Sequence, residues 1–307
     1  MSSRPLLAVT GATGFVGAHL LRQALEAGFT VRALTRRPQG PVPDVEWVEG
    51  ALADRAALSR LVDRAEAVVH VAGVINAADR EGFNQGNAVG TLNLIEAARA
   101  AGTRRFVHVS SLAAREPHLS DYGWSKAKAE TLVAASGLDW TAVRPPAVYG
   151  AGDREMLELF RMASRGVVLL PPAGRLSLIE AGDLCRLLLA LIPARSTVGA
   201  TFEPDDGRTE GWTYPEFARA LGQAVGRKVL ALSVPPWALG IASRLDVRLR
   251  GASAKLTADR VRYYVHPDWV AHAGHRPPLD LWRPKTGTFG GLKRTADWYR
   301  EEGWLKR

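Results

Sequence analysis

Apolar positions in the first half of the chain fall into short continuous runs separated by amphipathic stretches of helical period. Leu6–Thr10 reads as a strand, followed by a glycine-rich turn and a helix from about Phe15 to Ala27 that Gly28 ends. Thr30–Thr35 and Val45–Val48 read as the second and third strands, and Asp54 caps a helix running to about Arg64. Ala67–Ala72 is apolar but for His70, as a strand covered on both faces should be. A long helix from about Phe83 to Ala101 ends at Gly102. Arg105–Ser110 is a fifth strand, a helix runs from Tyr122 to about Ala135, and Trp140–Val143 is a sixth strand. Strands and helices alternating at this rhythm imply right-handed crossovers and an α/β fold with a doubly wound parallel sheet.

After Arg144-Pro-Pro146 the texture changes. Proline and glycine become frequent, tryptophans accumulate (Trp212, Trp237, Trp269, Trp282, Trp298 and Trp304), and the alternation fades. The expected organisation is a sheet domain over residues 1–150 and a smaller mixed α/β substrate domain over 151–307. Thr201–Glu203 would return one strand to the main sheet.

Composition narrows the function classes. The 307 residues are 47% hydrophobic, which suits a folded globular chain. The net charge of +9 raises the possibility of nucleic acid, but the 40 basic residues are scattered. The densest stretch, Arg244 to Arg262, is broken by Asp246 and Asp259 and reads as a solvated helical face. Attraction of anionic cofactors or substrates is the milder reading, and no nucleic-acid partner is expected. No signal peptide is read and no segment is long and apolar enough to span a bilayer, so a cytoplasmic protein without a membrane partner is expected. The single cysteine, Cys185, lies in an apolar helix and is expected to be a buried packing residue.

Two motifs carry chemistry. The first is Thr10-Gly-Ala-Thr-Gly-Phe-Val-Gly17, between a strand and a helix. Gly11 allows a tight turn, Gly14 lets the backbone approach a pyrophosphate, and Gly17 lets the helix pack on the strand. The helix N-terminus then offers free N–H groups to phosphates, which makes the first domain a dinucleotide-binding (Rossmann) unit. An NAD site wants a carboxylate at the end of the second strand to hold the ribose. Here Leu34-Thr35-Arg36-Arg37 supplies Arg36 and Arg37 instead, which suits the 2′-phosphate of NADP and leaves NAD open.

The second motif is Tyr122-Gly-Trp-Ser-Lys126. Tyr122 and Lys126 share one face of a helix at i and i+4. An unperturbed phenol titrates near 10, too high for a base at neutral pH, and a nearby ammonium lowers it. Ser111, at the end of the fifth strand, can donate to a substrate oxygen where charge develops. Ser110 is its neighbour, and strand alternation turns only one of the two to a given face. His19, His70 and His108 read as satisfied packing histidines. His266, His272 and His275 fall in a proline-rich loop context, and no metal site is expected.

With its GxxGxxG spacing near the N-terminus and its Tyr-x-x-x-Lys pair, the chain resembles the extended, atypical short-chain dehydrogenases/reductases, which include sugar-nucleotide epimerases and dehydratases. The resemblance is strong over residues 6–150 and weaker beyond. It implies the catalytic set Ser111, Tyr122 and Lys126. It also implies cofactor contacts from Thr10, Gly11, Thr13, Gly14, Phe15, Val16 and Gly17, from Arg36, Arg37 and Leu52, from Val71, Ala72 and Gly73, and from Tyr122, Lys126 and Pro145. Asn87 matches a position that braces the active-site helix, Asp153 and Arg154 lie where the family closes over substrate, and a homodimer through helices 83–101 and 122–136 is implied. Ser177–Leu184 keeps only Asp183 of the stretch that relatives place near a sugar nucleotide, and the Ser111–Tyr122 interval is short.

Three functions follow. The first is an NADP(H)-dependent oxidoreductase interconverting a secondary alcohol and a ketone, acting on a small-molecule substrate. The others are an NAD(P)-dependent sugar-nucleotide epimerase or dehydratase and a non-catalytic cofactor-holding subunit.

Overall fold

The computed structural model describes residues 4–251 and 256–306. In chain order the first elements are β1 (Leu6–Thr10), α1 (Phe15–Glu26), β2 (Thr30–Thr35), β3 (Val45–Glu49), α2 (Arg55–Val62) and β4 (Ala67–His70). Then come α3 (Arg80–Phe83), one stretch of π-helix over Asn84–Val89, α4 (Gly90–Ala100), β5 (Arg105–Val109), a 3₁₀ turn at Leu112–Arg115, α5 (Asp121–Ala134) and β6 (Asp139–Val143). The remainder comprises β7 (Ala147–Tyr149), α6 (Leu157–Ser164), β8 (Val167–Leu170), β9 (Arg175–Leu176), β10 (Leu178–Glu180), α7 (Ala181–Leu191) and β11 (Ala200–Phe202). It closes with β12 (Trp212–Thr213), α8 (Tyr214–Val225), β13 (Leu230–Ser233), α9 (Pro236–Arg250), α10 (Ala258–Tyr264), β14 (Asp268–Trp269) and α11 (Thr288–Glu301).

Seven strands form one sheet in the order β11-β6-β5-β4-β1-β2-β3, and every pairing is parallel. This is the doubly wound sheet that the alternation predicts. Strand order reverses between β1 and β4, where Thr10 and His70 are register partners. Ligands of such sheets bind outside the carboxyl ends of the strands at that reversal.

Compact packing divides the chain into two units. The first comprises residues 4–144, 184–202 and 277–282, and the second 145–183, 203–276 (as described) and 283–306. On one face of the first unit's sheet, Leu58, Leu61, Leu94, Ile95, Phe106 and Val133 form a buried core. The second unit packs Tyr149, Phe160, Phe217, Leu221, Leu292 and Tyr299 into its own core, around β8–β13, β7–β10 and β12–β9–β14.

Several boundaries differ from the sequence reading for identifiable reasons. The fourth strand stops at His70, because Val71 and Ala72 turn their N–H groups onto the carbonyl and hydroxyl of Thr10. The long helix starts at Arg80 under an Asp79 cap, and the π-helical stretch interrupts it. Helix α2 ends before Arg64, whose φ of 54° lies in the left-handed region and cannot continue a helix. Asp54 caps that helix as expected, accepting from Ala57 N at 3.0 Å. Two arginines in strands are structural. Arg32 donates to the carbonyls of Arg60 and Asp63, and Arg105 to that of Leu191, placing cations at the carbonyl ends of α2 and α7.

Candidate active site

The turn after β1 is built for close backbone approach. Gly11 takes φ 77°, and a Cβ there would lie 2.7 Å from Ala72 N. A Cβ on Gly17 would run into Gly11 O and sit 2.8 Å from Ala12 Cα, so only glycine lets α1 start this close to β1. Gly14 differs. Its φ is an ordinary −85°, and a Cβ there would meet only Gly11 O, at 3.3 Å. Its bareness is therefore not demanded by packing. No side chain caps the first turn of α1, and Thr13 and Gly14 are exposed, while Phe15 and Val16 are half-buried. An exposed glycine, an uncapped helix start and free N–H groups fit a pyrophosphate.

Beneath this turn a chain of hydrogen bonds fixes one imidazole. Thr91 Oγ1 donates to Asn87 O at 2.5 Å, so its lone pair must accept from His70 Nε2 at 2.9 Å. His70 Nδ1 is then the acceptor for the Thr10 hydroxyl at 2.6 Å, and Thr10 in turn accepts from Ala72 N at 3.2 Å. Burial, aided by the Lys126 charge, holds His70 down at about 3, consistent with this neutral tautomer. The chain ties the ends of β1 and β4 to the π-helical stretch and sets the Val71-Ala72-Gly73 segment.

The π-helical stretch presents Asn87 to two elements at once. Its amide accepts from Val74 N (2.6 Å) and donates to Val74 O (2.9 Å) and to Ser125 Oγ (2.8 Å). Ser125 in turn donates to the Tyr122 carbonyl at 2.8 Å. Asn87 thus holds the first turn of α5 against the loop after β4. Ser120 caps α5 through Gly123 N, and a Cβ on Gly123 would lie 2.6 Å from Ala113 O, so this glycine seats α5 on the 3₁₀ turn after Ser111. Tyr122, half-buried, has its ring 6.1 Å from that of Phe83.

Lys126 is buried and its ammonium donates to Val109 O at 2.8 Å, near the end of β5. A Cβ on Gly73 would lie 3.7 Å from this ammonium, so Gly73, Asn87 and Lys126 converge. Burial pulls the lysine down to about 8, against the opposing pull of Glu130. Ser111 is half-buried and accepts from Ala113 N at 3.2 Å, whereas the Ser110 hydroxyl is buried without a partner. His108 departs from the expectation of a satisfied histidine. Both its ring nitrogens are buried without a hydrogen bond, and its ring lies 5.3 Å from that of His70. Burial and the Lys126 charge push it well below its usual range, so it is neutral.

The remaining residues lie further out. Arg36 and Arg37 are exposed directly after β2, and the Arg37 carbonyl accepts from Thr35 Oγ1 at 2.7 Å. A cavity of ≈ 540 Å³ opens between α1 and the β2–β3 connection, with Thr13, Arg22, Gln39 and Trp47 in its walls. Leu52 is half-buried against Gly90, and its carbonyl accepts from Asn93 Nδ2 at 2.9 Å. Pro145 is the first residue of the second unit. There, Asp153 is buried and accepts from Glu155 N (2.8 Å) and Met156 N (3.2 Å), so its carboxylate shapes its own loop. The Arg154 guanidinium sits 4.7 Å from the Trp304 ring centroid, and Cys185 is buried as expected. Ser125 was not singled out from sequence, since its contact with Asn87, 38 residues away, leaves no mark there.

Fold and turn together define a dinucleotide-binding α/β protein. The chain belongs to the NAD dependent epimerase/dehydratase family, whose model matches residues 7–200, and it is an enzyme of this NAD(P)-dependent class. It is 39% identical over 314 residues to the ceramide reductase of Caulobacter vibrioides, covering 99% of this chain and 98% of that one. It is 29% identical to sterol demethylase protein B of Methylococcus capsulatus, covering 97% and 99%. Among solved structures, a dTDP-glucose 4,6-dehydratase from Streptomyces venezuelae with NAD bound superposes with a TM-score of 0.70 at 22% identity, covering 98% of each chain. A UDP-glucose 4-epimerase from Thermotoga maritima does so with 0.70 at 20% identity, covering 97% and 99%. At these identities the structures are alike in fold.

Proposed function

We propose that this protein is an NADPH-dependent reductase that converts a ketone of a ceramide-like lipid to its secondary alcohol. The observation that carries the reductase reading is the convergence of Gly73, Asn87 and the buried Lys126 ammonium beside the Tyr122-bearing turn of α5. The lipid class rests on the 39% identity to a ceramide reductase along nearly the whole of both chains. Arg36 and Arg37, exposed where a ribose-binding carboxylate would otherwise stand, favour the phosphorylated cofactor.

In this reading the turn residues from Thr10 to Gly17 hold the pyrophosphate by backbone N–H groups, with Leu52 near the adenine, Val71-Ala72-Gly73 under the ribose and Pro145 at the nicotinamide end. The bound nicotinamide supplies the hydride. Tyr122 gives its phenolic proton to the oxygen of the reduced carbon, and Ser111 donates a hydrogen bond to that oxygen as charge builds. Lys126, charged at neutral pH, lowers the cost of the tyrosinate left behind. Asn87 and Ser125 keep Tyr122 in place.

A sugar-nucleotide epimerase is the second reading, favoured by the family's composition. Ser177 speaks against it, since it is buried and its hydroxyl is committed to Asp205 Oδ2 and Ala271 N. Retention of Tyr122 and Lys126 weighs against a non-catalytic subunit. A cytoplasmic homodimer through α4 and α5 is the assembly this reading carries, and light scattering tests it. The reaction is tested by following NADPH with a ceramide-type ketone, with UDP-sugars as the alternative. Consumption with the lipid ketone, absent in Tyr122→Phe, supports the proposal, whereas turnover of a UDP-sugar without net NADPH loss overturns it.

A further inference from the structure

Helix α9 displays an apolar face that the second unit leaves uncovered. Trp237, Ile241, Leu245 and Leu249, each four residues apart, are 70%, 49%, 54% and 83% exposed. At helical spacing they form one stripe along the 15-residue helix. Arg244 and Arg248 lie along the edge of the same stripe, both exposed and with no acidic partner among the described residues. The opposite side is the one that packs. Ser243 is buried, and Asp246 pairs with Arg250 at 3.2 Å and accepts from Leu256 N at 2.8 Å. The sequence reading of a merely solvated basic face is therefore incomplete, because the exposed surface is apolar and basic together. The segment leading into α9 adds to it. Leu232 on β13 pairs with Leu169 on β8, and both are exposed, as is Leu230 two residues earlier.

We infer that α9 is a membrane-surface anchor that lays its Trp237–Leu249 stripe among the acyl chains of an anionic bilayer, with Arg244 and Arg248 at the lipid phosphates. Among the described residues no helix is long and apolar enough to cross a membrane, but lying on one asks only for a helix of this kind, with an apolar stripe, tryptophan and arginine. Charge decides the occupant. A second copy meeting this face by two-fold symmetry would set the stripe against itself and bring Arg244 and Arg248 against their own duplicates, in a chain already carrying +9. An anionic lipid surface reverses that sign, and arginine stems reach outward past the apolar body of the helix. The inference stands apart from the reductase reading, since it is measured without turnover.

The test is flotation of the full-length protein with vesicles of phosphatidylcholine alone or mixed with phosphatidylglycerol. The protein should float with the anionic vesicles at low salt, with at least about tenfold less bound to neutral vesicles, and the bound fraction should fall as salt rises. Arg244→Glu/Arg248→Glu and Leu245→Ser/Leu249→Ser should each lower the bound fraction about tenfold while leaving the circular-dichroism melting curve and NADPH binding unchanged. Wild-type protein that stays unbound with anionic vesicles would overturn the inference, as would variants that float equally well. Loss of a dimer by the variants in light scattering, with no vesicle binding by the wild type, would assign the face to a second copy instead.

Discussion

Gly14 and Gly17 lie three residues apart in one turn, yet the structure gives them different work, and alanine substitution separates it. At Gly17 an added Cβ would strike Gly11 O and lie 2.6 Å from Gly11 C. Relieving even that second contact to an ordinary 3.4 Å means opening β1 from α1 by about 0.8 Å, against backbone on both sides. Overpacking of this kind costs about 1–3 kcal/mol or more. For a unit of this size that lowers Tm by roughly 2–4 °C per kcal/mol. At Gly14 the only neighbour is Gly11 O at 3.3 Å and the backbone is unstrained, so alanine should fold with Tm within about 2 °C of wild type. Its methyl group would nonetheless occupy the surface that the phosphates need. Losing a backbone hydrogen bond to a phosphate costs about 1.5–3 kcal/mol, roughly ten- to a hundredfold in affinity. The assay pairs thermal melting with titration of NADPH followed by calorimetry. Gly14→Ala should melt like wild type and bind NADPH about ten- to a hundredfold more weakly, while Gly17→Ala should lose stability outright. If Gly14→Ala binds NADPH within threefold of wild type, the turn is not the phosphate site.

Other consequences are simpler to state. Arg36→Ala/Arg37→Ala should weaken NADPH by about 10- to 100-fold, the worth of about one hydrogen bond to a charged group, while leaving NADH binding unchanged; equal loss for both cofactors would refute the 2′-phosphate assignment. Lys126 titrates near 8 in the fold against 10.5 outside it. Between those values the unfolded chain holds a proton the native one has released, so this group adds stability as pH rises, up to about 3 kcal/mol, and loses it as pH falls through 8. Denaturant melts of wild type and Lys126→Met should therefore differ in slope over that window, and parallel curves would remove the case for a desolvated lysine. Burial raises Asp153 to about 6 from 3.8, so the native state keeps a proton there that the unfolded chain has lost. Its contribution is full below 3.8 and gone above about 6, and Asp153→Asn should flatten that decline; an unchanged pH profile would show the carboxylate to be solvated.

The parallel sheet was legible because continuous apolar runs such as Leu6–Val9 admit few other readings, and the glycine spacing placed the turn. The helix ends were less so. Nothing in Asn84–Val89 announces a π-helical stretch, from which Asn87 reaches Val74 and Ser125 at once. The state of His70 was likewise hidden, since it depends on Thr10 and Thr91, 60 and 21 residues away. His108 looked like any packing histidine until its neighbours proved to offer it no partner. In α9 the arginines drew attention and the leucines did not, because exposure rather than composition distinguishes an anchor from a solvated face. The Tyr122–Lys126 pair was visible at i and i+4, but the burial that depresses the lysine comes from β5 and the loop after β4.

The central claim, hydride delivery to a lipid ketone with Tyr122 as proton donor, is tested most directly by isotope transfer. The enzyme is incubated with a ceramide-type ketone and NADPH carrying deuterium at both C4 positions of the nicotinamide, and the product is read by mass spectrometry. The expected product is an alcohol carrying one deuterium on the carbinol carbon, with oxidation of one NADPH per alcohol, formed at least about a hundredfold more slowly by Tyr122→Phe. An alcohol without deuterium, or equal rates for wild type and Tyr122→Phe, would contradict it.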